Sequence, residues 1–226
     1  MDMTCRALVV ALFACGALLG LASPASSDPA VAGSSFYVVQ GDPRLCPSPL
    51  CGGYWVALAN RARIRCSDGA LRPRCYVAQA IGDDRRPFGA GLPDGSLVRA
   101  EIASRRFGSF GELGALVVAD VWAPVGGGAK GDYFRARDLG VRCVRAPCFS
   151  IRTTRVNGAS RITVSSLDLL SATASSQPTR GELARAQAAL TSTDGLFVLG
   201  RIIRTGEAGS ILQASRIYLR AAKRRA

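Results

Sequence analysis

The side chains that could do chemistry in this chain are few, and most are sulfur. Beyond an apolar N-terminal stretch lie six cysteines, spaced as Cys46-x4-Cys51, Cys66-x8-Cys75 and Cys143-x4-Cys148; Cys5 and Cys15 fall inside that stretch. Thiols serve as nucleophiles, metal ligands or disulfide partners. Four thiolates at 46, 51, 66 and 75 would suit zinc, but their spacings are looser than the usual two-to-four-residue knuckles. An even number of cysteines in an exported chain points to bridges instead. Histidine is absent, which removes Ser-His-Asp and Cys-His catalysis and every imidazole metal site. The only lysines, Lys130 and Lys223, sit in a glycine-rich stretch and a basic tail, so neither reads as the buried base of a serine–lysine pair. Asp42 and Asp138 each lie shortly before a cysteine pair, and a carboxylate-only hydrolase needs two such groups flanking one bond. Both lie near glycine or proline, where Asp commonly bonds its own backbone in a turn. The stretch Gly126–Gly131 lacks the Gly-x4-Gly-Lys-Ser/Thr order of a phosphate loop. No catalytic, metal-binding or cofactor-binding residue is assigned, and no cofactor is implied. The remaining candidates are rings: Tyr54, Trp55 and Trp122 could form a stacking platform for sugars or bases, against the alternative of core packing.

Those residues recur in a pattern. Phe36-Tyr37, Cys46-x4-Cys51 and Asn60 are matched by Tyr133-Phe134, Cys143-x4-Cys148 and Asn157 at one constant shift of 97 residues. The second occurrence contains only Cys143 and Cys148. If the two units fold alike, that pair closes on itself, Cys46 joins Cys51, and Cys66 is left for Cys75. In the chain-entropy model each such short bridge contributes about 2–3 kcal/mol. Asn60 and Asn157 read as turn or strand-end residues.

The elements that would carry these residues are mostly strands. Runs at 36–40, 54–58, 75–81, 97–102, 113–122, 196–203 and 211–219 have strand character. One helix is expected: Thr179 is a good N-cap, Glu182 has capping-box spacing, and Leu183, Ala186 and Leu190 form an apolar stripe. Residues 1–27 read as an export signal, with Arg6 ahead of the apolar run Ala7 to Leu21 and small residues behind it. The expected organisation is a signal at 1–27, a disordered leader at 28–35 and a first β unit at 36–125. A Gly-rich linker at 126–131, a second β unit at 132–220 and a basic tail at 221–226 follow. The fold class is mainly β, α+β at the margin, with two related small barrel- or sandwich-like units and one helix in the second. The hairpins with an interior glycine are reminiscent of oligonucleotide/oligosaccharide-binding barrels, an analogy that does not license function.

The segment Tyr37–Val56, with its Cys46-Pro-Ser-Pro-Leu-Cys51-Gly-Gly-Tyr-Trp55 string, resembles the opening motif of an uncharacterised family of predicted secreted bacterial proteins. Val141–Ser150 is similar to that family's second cysteine motif, and the resemblance covers most of residues 36–220. It implies an exported protein of two related halves and carries over no activity. The chain bears a formal charge of +13, nearly all of it arginine. Such a charge suits anionic partners, but the scatter of the arginines favours a plain solvated surface; the partner is left unknown, with an anionic envelope component and a protein as the candidates. Nucleic acid is disfavoured because the arginines form no dense block, and no second apolar run approaches a bilayer span. The reading is an extracytoplasmic protein, periplasmic or secreted, with a non-enzymatic binding or structural role. The alternatives are an inhibitor presenting a disulfide-tied loop and a carboxylate-only hydrolase.

Overall fold

The computed structural model describes residues 34–88, 91–127, 130–169, 178–206 and 209–221. The export signal expected at 1–27, most of the leader and the tail beyond Ala221 lie outside the described residues. Among the described residues the protein is mainly β, with one large, mostly antiparallel sheet and one α-helix.

In the first half, β1 (Ser35–Gly41) lies antiparallel between β2 (Tyr54–Leu58) and a later strand. A two-residue hairpin, β3 (Ile64–Arg65) and β4 (Leu71–Arg72), stands apart. β5 (Cys75–Val77) pairs with β2, and β6 (Gln79–Gly82) runs parallel to β8 (Glu112–Val125). β7 (Leu97–Arg106) joins β1 to β8. The alternation across residues 75–81 predicts one strand; the structure divides it at Ala78. There the N–H donates to Gly114 O at 2.7 Å, and the chain leaves β2 to join β8. That switch interrupts the ladder, so each half curls but no closed barrel forms.

The second half repeats this plan. β9 (Asp132–Asp138) pairs with β10 (Ile151–Arg155) and with β13 (Leu196–Arg204). β11 (Arg161–Val164) pairs with β10, and β12 (Ser166–Asp168) runs parallel to β14 (Ser210–Arg220). The register repeats as well: Gln40 opposes Trp55, and 97 residues on Arg137 opposes Arg152. A bulge falls after Arg99 in the first half and after Leu199 in the second. The switch at Ala78 recurs at Ser165, whose N–H donates to Ser210 O at 2.8 Å. α1 (Arg180–Thr191) has the expected capping box, Thr179 and Glu182 each bonding the other's backbone N–H. Across the same gap, 83–96, the described residues of the first half form no helix. β8 and β14 pair antiparallel, so one 12-stranded sheet runs through both halves.

Three apolar clusters hold it. Val39, Val56, Val77, Val98 and Leu116 fill the first half. Ala136, Val164, Val198, Leu212 and Ile217 fill the second, with Ala186 of α1 packed on them. Leu97, Trp122, Phe197 and Tyr218, with Phe36 and Tyr133, form a third cluster at the junction. Each fully buried side chain of Val or Leu size stabilises by about 1.5–3 kcal/mol. Asp120 is buried beside the junction and accepts hydrogen bonds from Arg99 and Arg220; Arg220 also donates to Asp194 at 2.5 Å.

Two asparagines lock the halves to each other. The Asn157 side chain accepts from Phe36 N–H at 3.0 Å and donates to Phe36 O at 2.7 Å and Ala59 O at 3.0 Å. The Asn60 side chain accepts from Tyr133 N–H at 2.8 Å and donates to Tyr133 O at 2.7 Å and Val156 O at 2.9 Å. Both residues have left-handed backbone, φ 59° and 55°, which Asn tolerates better than most residues. Asn60→Gly keeps that backbone accessible but removes three bonds and orphans partly buried main-chain groups. With roughly 1–3 kcal/mol for each orphaned group and some rescue by water, the expected loss is about 2–4 kcal/mol. Urea unfolding of Asn60→Gly and Asn157→Gly checks this, and the two losses should be equal within about 1 kcal/mol.

Candidate functional site

The loop joining β1 to β2, residues 42–53, is tied twice. Cys46 and Cys51 are bridged, with Cα atoms 5.3 Å apart. Arg44 then fastens the loop to the sheet. Its guanidinium forms a two-pronged ion pair with Asp42, donates to Leu50 O at 3.0 Å, and lies 5.2 Å from the Trp55 ring and 5.0 Å from Tyr76. The Asp42 carboxylate is covered by these partners and also accepts from the Trp55 indole N–H at 3.2 Å. The Arg44 hydrogen bonds lead the causes that hold the Asp42 carboxyl at about 2, below the usual carboxylate range, against the opposing effect of burial. Tyr76 donates to Pro49 O at 2.8 Å and accepts from Gly53 N–H at 3.3 Å, so the far side of the loop is held as well.

The clamped loop forms one wall of a cleft of about 480 Å³. Ser48 and Pro49 face Phe107 to Phe110 of the β7–β8 turn, and the floor is Ala78 and Gln79 at the strand switch. Phe110 is 47% exposed at the rim, and Arg105 lies 5.9 Å from the Phe107 ring. The second half has the same parts: a Cys143–Cys148 bridge and a β13–β14 turn. There, Pro147 and Phe149 come up against that turn, each within 3.1 Å of where a side chain at Gly209 would begin. Phe149 corresponds to Gly52 at the 97-residue shift. Phe149 is 43% exposed, and a side chain at Gly52 would meet nothing within 4 Å.

The structure places the sequence-selected residues as follows. The six cysteines stand in the pairs Cys46–Cys51, Cys66–Cys75 and Cys143–Cys148, so those four thiols form bridges rather than a zinc site. Tyr54, Trp55 and Trp122 do not meet. Trp122 is buried at the junction against Phe36 and Phe197. Tyr54 packs on the first core, with its hydroxyl accepting from Leu92 N–H at 3.1 Å. Trp55 stays on the outer face, under Arg44 and Arg74. Asp42 opens the first disulfide loop, whereas Asp138 ends β9, one position earlier in the second half's register; Asp138 accepts from Gly140 N–H and is paired with Arg142. Phe107, Phe110 and Gln79 were not selected from the sequence. Only the pairing of β6 with β8 brings the Phe107–Phe110 turn to the disulfide loop. Among the described residues no cluster of His, Cys, Asp or Glu could hold a metal ion.

Residues 35–224 match the family model described as a domain of unknown function (DUF6748). No curated protein and no solved structure matches the chain.

The Asp42 clamp has a defined pH dependence. Its folded pKa lies below the unfolded value of roughly 3.9, so its contribution is complete above about pH 4 and is lost as pH falls through 2. Trp55 fluorescence should report a transition centred near pH 2 in the native protein. Asp42→Asn should abolish that transition without unfolding the chain; an unchanged titration would detach Asp42 from Trp55.

Proposed function

The chain belongs to the DUF6748 family, and we propose that it is a non-enzymatic binding protein whose ligand enters the cleft between Pro49 and Phe110. The observation that carries this reading is the construction of the cleft: a disulfide-tied loop clamped by Arg44 and Tyr76 stands against the Phe107–Phe110 turn, with Ala78 and Gln79 only partly buried between them. Pre-ordering by the bridge, Arg44 and Tyr76 lowers the entropy cost of binding. The chemistry of the walls, aromatic and proline surface with arginine at the rim, suits a ligand carrying a ring and a negative group. Absence of catalysis fits carboxylates already engaged: Asp42 and Asp138 are each held by an arginine. Three bridges in one chain suit an oxidising compartment, and no described helix is long and apolar enough to cross a membrane. The site of action in this reading is extracytoplasmic.

A second reading has one observation behind it. Leu45 and Val144, one in each disulfide region, are fully exposed. An apolar residue on a rigid loop is what an inhibitor or adhesive ligand would present to a protein partner. A photo-cross-linking side chain at position 45 should then trap a single protein in the native host; an empty result would remove this reading.

Anilinonaphthalene sulfonate, a ring with an anionic group, is the probe for the cleft. The native protein should bind one equivalent saturably. Phe107→Ala/Phe110→Ala should weaken that by about tenfold, given about 0.5–1.5 kcal/mol per aromatic contact. Binding indifferent to both substitutions would overturn the cleft as the site.

A further inference from the structure

The outer face of β9, β10 and β11 carries charge that nothing in its half neutralises. Arg137 and Arg152 are direct partners across the β9–β10 ladder, and both are exposed. Side chains so paired begin about 4.5–5.5 Å apart, and like charges there destabilise a sheet. Among the described residues neither arginine has an ion pair or a side-chain hydrogen bond. The nearby acids are taken: Asp132 by Arg155, Asp138 by Arg142 and Asp194 by Arg220. Thr163 lies opposite Arg152 on the same face, and Thr154 opposite Arg161 forms the adjoining row. The first half shows that the charge is not demanded by the fold. At the matching positions it has Gln40, Trp55 and Tyr76.

We propose that this face binds an acidic polysaccharide, with Arg137 and Arg152 together gripping its sulfate or carboxylate groups. The guanidinium fork matches such oxyanions with two parallel bonds. The threonine hydroxyls beside it can donate to and accept from sugar hydroxyls. The positions that hold rings in the first half hold Arg152 and Thr163 here, so the face lacks the stacking surface that single-stranded nucleic acid uses. Its arginine and threonine rows include no apolar side chain to enter a bilayer, and Ile162, exposed on β11, alternates to the opposite face. The site is separate from the Pro49–Phe110 cleft and does not depend on it.

Titration calorimetry with a heparin dodecasaccharide, on the whole chain at two salt concentrations, tests the proposal. Arg137→Gln/Arg152→Gln should lower affinity at least about tenfold and flatten the salt dependence. Its melting temperature should hold or rise, because the like-charge pair is gone. Arg63→Gln/Arg106→Gln removes the same charge from the first half and should cost less than about threefold if steering by net charge is the only loss. Equal losses in the two variants would reduce the effect to net charge and overturn the site. So would tighter binding of a dT20 oligonucleotide or of phosphatidylserine vesicles than of the dodecasaccharide. Full competition by inorganic sulfate at matched sulfate concentration would show a simple anion site and would overturn it as well.

Discussion

A carboxamide side chain is chemically a peptide group, and this fold uses two of them as such. Asn60 and Asn157 each follow a second strand, turn into left-handed backbone, and present an amide to the first strand of the other half. Donor and acceptor are both satisfied, which matters because partly buried main-chain groups at the junction have little else to bond. Reciprocity imposes a length rule. Each half must deliver the strand start, Phe36 or Tyr133, and the asparagine at fixed relative positions. The shift between halves is therefore held at 97 from β1 through Asn60. Outside the locked segment it drifts: Tyr76 matches Thr163 at 87, Val98 matches Val198 at 100, and Trp122 matches Tyr218 at 96. The disulfide-tied loop lies within the locked segment, so its size cannot change without moving the asparagine.

With spacing fixed, the halves diverge through side chains that face outward. Inward positions stay closer in kind, Tyr37, Val39 and Val56 against Phe134, Ala136 and Thr153. Outward, one half places rings under arginines and the other places arginines beside threonines. The exchange of Gly52 for Phe149 has the same character: one half exposes a ring where the other has no side chain. Gly52 itself has φ +77°, so the backbone there is already suited to a residue with no side chain.

Much of this was legible in the residues. The constant spacing and lone second cysteine pair pointed to three local bridges, and Thr179 with Glu182 marked the helix start because a capping box is a purely local device. What escaped was non-local. Asn60 reads as a turn residue because its partner is Tyr133, 73 positions away. Trp122 reads equally as platform or core until its neighbour Phe197 is known. Residues 75–81 alternate like one strand, and only the bond from Ala78 to Gly114 shows where the strand changes partner. The arginines look scattered because register, not sequence, sets Arg137 against Arg152.

The distribution of acids connects these features. Asp42 is spent on Arg44 and Trp55, Asp120 on Arg220 and Arg99, Asp94 on Gly41 N–H, and Glu182 on the helix cap. For Asp120, burial pushes the carboxyl up, but hydrogen bonds from Arg220 and Arg99 outweigh it and leave the pKa lowered. These carboxylates serve as fasteners, charged and held in place. A carboxyl available for proton transfer needs a raised or free-ranging pKa, which such bonding removes. Arginine outnumbers the acids that can fasten it, so the surplus faces solvent. The same arrangement leaves the fold with a cationic surface, and an anionic ligand is the complement we propose for it.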